Sequence, residues 1–154
     1  MNRIFNFSAG PCTLPYSALE EAHAEFLDYQ GKGMSLIEMS HRSKEYDAVH
    51  MEAMDLVKRL YGLPDNYKVL FLGGGATMQF AMVPMNLMGP GGSCDMTLTG
   101  AWAKKANADA KKIGNVNLVF DGSDDNFMSL PDPASLKANP GAAYFHMTSN
   151  ETIG

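Results

Sequence analysis

The residues able to do chemistry gather in four short stretches. In "FLGGGATMQF", Phe71 to Phe80, an apolar run ends in three glycines, and Ala76 and Thr77 open a helix-like run. A helix N-terminus presents unpaired N–H groups and a partial positive charge, and glycines let an anion approach them. Gly73, Gly74 and Gly75 before Ala76 and Thr77 therefore read as an anion cradle that suits a phosphate, with the Thr77 hydroxyl as an added donor. A tight strand-to-helix turn that binds nothing fits the same residues. No Gly-Lys-Ser/Thr follows, and GxGxxG is incomplete, so neither nucleotide-loop signature is present. "SHRSKEY" sets His41, Arg42 and Lys44 in a polar loop. An arginine there suits a carboxylate or phosphate through two parallel hydrogen bonds; a solvated turn with Ser43 capping the next helix is the plainer reading. Trp102, the only tryptophan, follows a strand end, where a flat ring either stacks on a flat ligand or fills the core. "SNETIG" puts Asn150, Glu151 and Thr152 at another strand end, as a polar turn or a rest for a ligand edge. His23, His50 and His146 have no ligand spacing to one another, and no metal site is expected. Asp124, Asp125 and Asp132 read as solvated loop residues.

These residues need elements to hold them. The stretch up to Pro15 reads as extended and ends in a Gly-Pro turn. A helix is expected from about Tyr16, with Leu19, Ala22, Phe26 and Leu27 at helical spacing and Gly31 and Gly33 as its stop. "MSLIEMSHRSKEY" reads as a short extended piece and a loop. A second helix spans about Ser43 to Tyr61, with Tyr46, Val49, Ala53, Leu56, Val57 and Leu60 on its apolar face, stopped by Gly62 and Pro64. "YKVLFL", Tyr67 to Leu72, reads as a buried strand. The run after the glycines is helical until Pro84 breaks or kinks it. "SCDMTLT" is a strand with Cys94, Met96 and Leu98 on one face. A helix ended by Gly114, the strand "VNLVF", a short helix in "PDPASLK" and a last strand "AYFHMTS" complete the order. Alternating strands and helices from Tyr67 onward predict an α/β fold with a mostly parallel sheet. Ligands in such sheets sit at the carboxyl ends of strands. Gly73–Thr77, Gly100–Trp102 and Thr148–Thr152 are all expected there.

The bulk properties fit this picture. The chain has 154 residues, 45% hydrophobic and 19% charged, with a net charge of −5 and a pI near 5.2. That balance leaves no basic footprint for nucleic acid or an anionic membrane. The twelve methionines are scattered and read as gap-filling core residues. Cys12 and Cys94 lack CxxC spacing and read as free thiols in a reducing compartment. Neither a signal peptide nor a long apolar span is evident, so a soluble, cytoplasmic protein is expected.

"NFSAGPCTLP", "SHRSKEY", "GGGATMQF", "TGAWAKKA" and "TSNETIG", in this order along essentially the whole chain, resemble the phosphoserine aminotransferase family of class V aminotransferases. The resemblance implies an aspartate-aminotransferase type fold, a three-layer α/β/α large domain. It implies pyridoxal 5′-phosphate as cofactor and a homodimer. The implied reaction interconverts 3-phosphohydroxypyruvate plus glutamate with O-phosphoserine plus 2-oxoglutarate, in serine and also pyridoxine biosynthesis. By the same resemblance, Gly75, Ala76 and Thr77 hold the cofactor phosphate, Trp102 stacks on its ring and Thr152 contacts the ring. Arg42, with His41 beside it, is implied as a substrate-anion ligand reached across the dimer interface, and Ser8 lies near the substrate.

Many family members have Gly-Arg where this chain has Ala76-Thr77, so that arginine's charge must come from elsewhere. The Schiff-base lysine of the family and an aspartate before it lie downstream of Gly154, and the last lysine here, Lys137, is in no matching motif. Residues 1–15 are thus expected to be an N-terminal segment and 16–154 the first part of the cofactor-binding large domain. The small C-terminal domain is expected to be absent, and the 154 residues alone to be inactive. An inactive anion-binding or interaction fragment remains an alternative. Another enzyme of the same fold, such as a desulfurase or an alanine–glyoxylate transaminase, is a further one, although the "SHRS" segment argues against it.

Overall fold

The computed structural model describes residues 3–152. The first two residues of the N-terminal segment and the last two of "SNETIG" therefore lie outside the described residues. The chain divides into two compact units, Met1–Phe71 and Leu72–Gly154.

The first unit is helical. Residues 3–15 have no regular structure. Helix α1 spans Tyr16–Ala24 and ends earlier than the apolar spacing predicts. The bond from the Phe26 N–H to the His23 carbonyl tightens the last turn, and Leu27 stays 82% exposed, so the apolar pair has no buried face to extend the helix. Gly31 and Gly33 serve the next turns instead, with the Gly33 N–H donating to Asp28 Oδ1 at 2.7 Å. The expected extended piece at "MSLIEM" is a 3-10 turn over Leu36–Glu38. A reciprocal cap between Ser35 and Glu38 favours that turn. Helix α2 spans Lys44–Tyr61. Ser43 caps it by accepting from the Tyr46 N–H at 3.3 Å, Glu45 and Asp47 lie in its first turn, and Gly62 closes it in the left-handed region. Tyr46, Val49, Ala53 and Val57 are half-buried as predicted, whereas Leu56 and Leu60 are exposed.

The second unit is α/β. Helix α3 (Gly75–Leu87) is followed by β1 (Ser93–Leu98), α4 (Ala101–Ala110), β2 (Asn115–Asp121) and β3 (Phe145–His146). The sheet order is β2-β1-β3, and both pairings are parallel. The central strand β1 is buried on both faces, Asp95 and Thr97 included, not on the Cys94–Met96–Leu98 face alone. Asp95 is tolerated there because its carboxylate accepts from the Asn117 amide on β2 at 2.9 Å and from the Asn139 N–H. The core joins Met88, Cys94, Met96, Ala106 and Ala110, with Phe80, Ile113, Val116, Leu118 and Tyr144 packed against it. Small alanines on α4 let the helix lie close to β1.

Three further expectations are corrected. Residues 67–72 form no strand: nothing among the described residues pairs with them, and Leu70, Phe71 and Leu72 are exposed. Pro84 does not end α3, which continues to Leu87 with the proline buried inside it. The methionines do not all fill the core; Met88 and Met96 do, while Met85, Met128 and Met147 are exposed. Both cysteines are free, Cys94 buried and Cys12 exposed. No helix among the described residues is long and apolar enough to cross a membrane.

Candidate functional site

The site grows from a backbone feature. Gly74 and Gly75 adopt φ of 87° and 60°, the left-handed region that favours glycine. At Gly74 a Cβ would also stand 2.6 Å from Met78 Cβ. This turn aims the first turn of α3 outward. Among the described residues no side chain caps α3, and its first turn holds no acidic residue. The first bond of the helix runs from the Met78 N–H to the Gly74 carbonyl, and among the described residues the N–H groups of Gly75, Ala76 and Thr77 have no partner. Gly73 has no neighbour within 4 Å of where a Cβ would stand and no positive φ, so the folded chain itself does not demand a glycine there.

Ala76 and Thr77 line a cleft of about 420 Å³ that is also walled by Trp102, His146, Thr148 and Thr152. Its place is the one expected from the sheet, beyond the carboxyl ends of β1 and β3. The half-buried Trp102 stands just inside the start of α4. Its indole Nε1 donates to Thr152 Oγ1 at 2.8 Å, which fixes the ring and leaves the Thr152 hydroxyl proton available to a ligand. Lys105 Nζ lies 5.5 Å from the centre of the indole ring. None of the cleft residues is a lysine, arginine or carboxylate, so an anion here is met by N–H groups and the helix dipole. Among the described residues, no lysine or arginine of the cleft supplies the charge expected in place of a Gly-Arg pair.

Glu151 takes a role the sequence did not reveal. Its two carboxylate oxygens accept from the Trp102 N–H at 2.8 Å and the Ala103 N–H at 3.0 Å. The carboxylate thus caps α4, whose own first turn is free of acidic residues. A Cβ at Gly100 would come within 2.4 Å of Glu151 Cδ. The available signal was a helix starting on glycine with no local cap; its partner lies 48 residues or more along the chain, beyond any local pattern.

His146 is a second missed residue. It lies at the cleft wall on β3, half-buried, edge-on to Phe80 with ring centres 6.2 Å apart, and with Nε2 3.4 Å from Thr148 Oγ1. Burial holds its imidazole below the ordinary histidine pKa.

Of the residues singled out in the sequence, Ala76, Thr77, Trp102 and Thr152 share this cleft, and Gly75 starts the helix behind it. Ser8, His41 and Arg42 belong to the first unit. Ser8 is exposed, with its N–H donating to Asn6 Oδ1 at 2.9 Å. Arg42 lies exposed in the turn before α2, its N–H donating to Ser40 Oγ at 3.2 Å. Among the described residues its guanidinium makes no ion pair.

The aminotransferase class-V family model matches residues 4–154. The chain belongs to the class-V aminotransferase family. Curated relatives agree: a phosphoserine aminotransferase of Nitrosomonas europaea is 51% identical over 154 residues, all of this chain and 42% of its own length. A solved structure of phosphoserine aminotransferase from Bacillus circulans subsp. alkalophilus has a TM-score of 0.91 and 49% identity, covering 98% of this chain and 42% of its own. A phosphoserine aminotransferase from Trichomonas vaginalis, solved with pyridoxal phosphate bound, has a TM-score of 0.86 and 37% identity, covering 97% of this chain and 42% of its own. The present chain thus spans less than half the length of these relatives, and its parallel α/β unit is part of the class-V aminotransferase fold.

Proposed function

We propose that this chain is the N-terminal portion of a pyridoxal-phosphate-dependent phosphoserine aminotransferase. The substrates are then glutamate and 3-phosphohydroxypyruvate, with O-phosphoserine and 2-oxoglutarate as products. The observation that carries the reading is the uncapped α3 N-terminus opening onto the same cleft as the Trp102 ring. A phosphate needs donors and positive potential, and a flat ring needs a flat wall; the cleft provides both. The relatives named above support the choice of substrate pair, and the Trichomonas vaginalis protein supports the cofactor.

The residues fit that cofactor. The Gly75, Ala76 and Thr77 N–H groups and the Thr77 hydroxyl would receive its phosphate. Trp102 would cover one ring face and exclude water from it, and Thr152 would donate its hydroxyl proton to an acceptor on the ring. When bound, pyridoxal phosphate supplies an electron sink that eases proton loss from the substrate carbon bearing nitrogen. Arg42 is proposed to clamp a substrate anion, with His41 beside it and Ser8 as a further polar contact. Residues 16–154 are proposed as the first part of the large cofactor domain after an N-terminal segment 1–15. Serine and pyridoxine biosynthesis, a homodimer and the cytoplasm complete the proposal.

The full-length protein tests it. Pyridoxal phosphate should quench Trp102 emission, and O-phosphoserine with 2-oxoglutarate should yield glutamate. Quenching without turnover of O-phosphoserine would move the protein to another member of its family. Equal Trp102 emission with and without the cofactor would remove the cleft from the cofactor reading.

A further inference from the structure

We propose that Glu151 is a positioning residue for the proposed cofactor wall, and that Gly100 is a glycine because the Glu151 carboxylate occupies the space a side chain would take. Two neighbouring residues of one segment grip the same tryptophan from opposite ends. Glu151 holds the Trp102 main chain through its N–H, and Thr152 holds the indole through Nε1. The second Glu151 oxygen takes the Ala103 N–H, so the carboxylate cannot pivot without losing a bond. The chain order makes the two contacts interdependent. Moving Glu151 off α4 drags Thr152 away from the ring, and the indole then loses the bond that fixes it against the cleft.

The electrostatics favour this arrangement. Helix α4 brings no acidic residue to its first turn, so its positive end is neutralised by a carboxylate from a distant segment. Charge-assisted bonds to backbone N–H groups are the stronger kind. With a Cβ at residue 100, the side chain would meet Glu151 Cδ at 2.4 Å, Cγ at 2.7 Å and Oε2 at 2.7 Å. Gly100 has an extended φ of 168°, which other residues adopt readily, so the glycine answers a contact and not a backbone conformation. The role of Glu151 reaches the ligand only through Trp102 and Thr152.

The proposal rests on reading Trp102 as the ring-stacking wall, but its test does not. In the full-length protein without cofactor, any tryptophan outside residues 1–154 is replaced by phenylalanine. Trp102 emission and acrylamide quenching are then measured. Glu151→Gln, which keeps one acceptor, and Gly100→Ala, which displaces the carboxylate, should each red-shift the emission and raise the quenching. Both should also weaken pyridoxal phosphate binding, roughly tenfold for the loss of a charge-assisted bond. In a Glu151→Ala background, Gly100→Ala should change either readout by less than about twofold, because the clash is gone. Unchanged Trp102 emission in Glu151→Gln and Gly100→Ala would overturn the proposal. So would a Gly100→Ala effect that persists in full without Glu151. A Trp102 shift in a protein that does not bind the cofactor would uphold the positioning role and remove the cofactor reading instead. Should Glu151→Ala fail to fold, the Gln and Gly100 variants decide the question alone.

Discussion

Two helices of the second unit begin at the same end of the sheet and meet opposite fates. The first turns of α3 and α4 both lack acidic residues, and both helices start after a glycine. Helix α4 is closed by the Glu151 carboxylate, and the Gly100 hydrogen makes room for it. Helix α3 has no side-chain cap among the described residues, and its first turn lines the cleft. With glycine at its N-cap, α3 forgoes roughly a few tenths of a kcal/mol relative to a side-chain cap. One end is satisfied inside the fold, and the other stays open to the cleft, where the proposed phosphate would sit. The Trp102 indole stands between them, tied by its main chain to the first arrangement and lining the second.

The difference can be broken by making α3 resemble α4. Thr77→Glu places a carboxylate in the first turn of α3. Pyridoxal phosphate affinity of the full-length protein should fall at least roughly a hundredfold, while the apo protein gains about 0.3–1 kcal/mol from the helix dipole. Equilibrium dialysis and chemical denaturation measure the two effects, and retained affinity would show that the open N-terminus is not the phosphate site.

The comparison also separates an anion held by a helix from one held by a side chain. Arg42→Ala in the full-length enzyme should raise KM for the phosphorylated substrate or glutamate, by the ~1.5–3 kcal/mol of a charge-assisted hydrogen bond. Cofactor affinity should not follow. Steady-state kinetics with both substrates check this, and unchanged KM for both would return Arg42 to the solvated-turn reading.

A smaller effect distinguishes the reasons for the glycines. Gly73 meets nothing in the folded chain, so Gly73→Ala should leave apo stability within about 0.5 kcal/mol yet weaken pyridoxal phosphate binding roughly tenfold. Thermal melts with and without the ligand would show whether the loss is confined to the bound form. Equal losses in both would mean that the chain itself needs Gly73.

The smallest expected effect is a pH dependence beside the open helix. Burial depresses the pKa of His146 in the folded protein, so the unfolded chain takes up its proton first. Stability should therefore be undiminished above the unfolded histidine pKa near ~6.5, fall as pH drops below it, and level off under the folded value. His146→Phe should flatten that segment of the stability curve. An unchanged slope would assign the acid sensitivity to other groups.

Much of this was legible locally. The glycine turn before α3, the Ser43 cap and the Gly62 stop of α2 are short-range requirements, set by φ and by a side chain within a few residues of its partner. The parallel order of β1, α4 and β2 follows from alternating segments. Residues 67–72 misled because an apolar run states a preference for the extended form and not the presence of a pairing strand. The ends of α1 and α3 misled for the same reason: breaker residues mark where a helix can stop, while packing decides where it does.

The sequence by itself therefore determined the glycine turn before α3, the Gly62 stop of α2 and the family-specific order of motifs, because each is written in neighbouring residues. Only the tertiary structure decided what each helix end meets. Nothing near Gly100 says that Glu151 will cap α4, and nothing near Trp102 says that Thr152 will hold its ring. Those bonds span 48 to 50 residues, and they exist only because the parallel sheet brings the ends of β1 and β3 side by side.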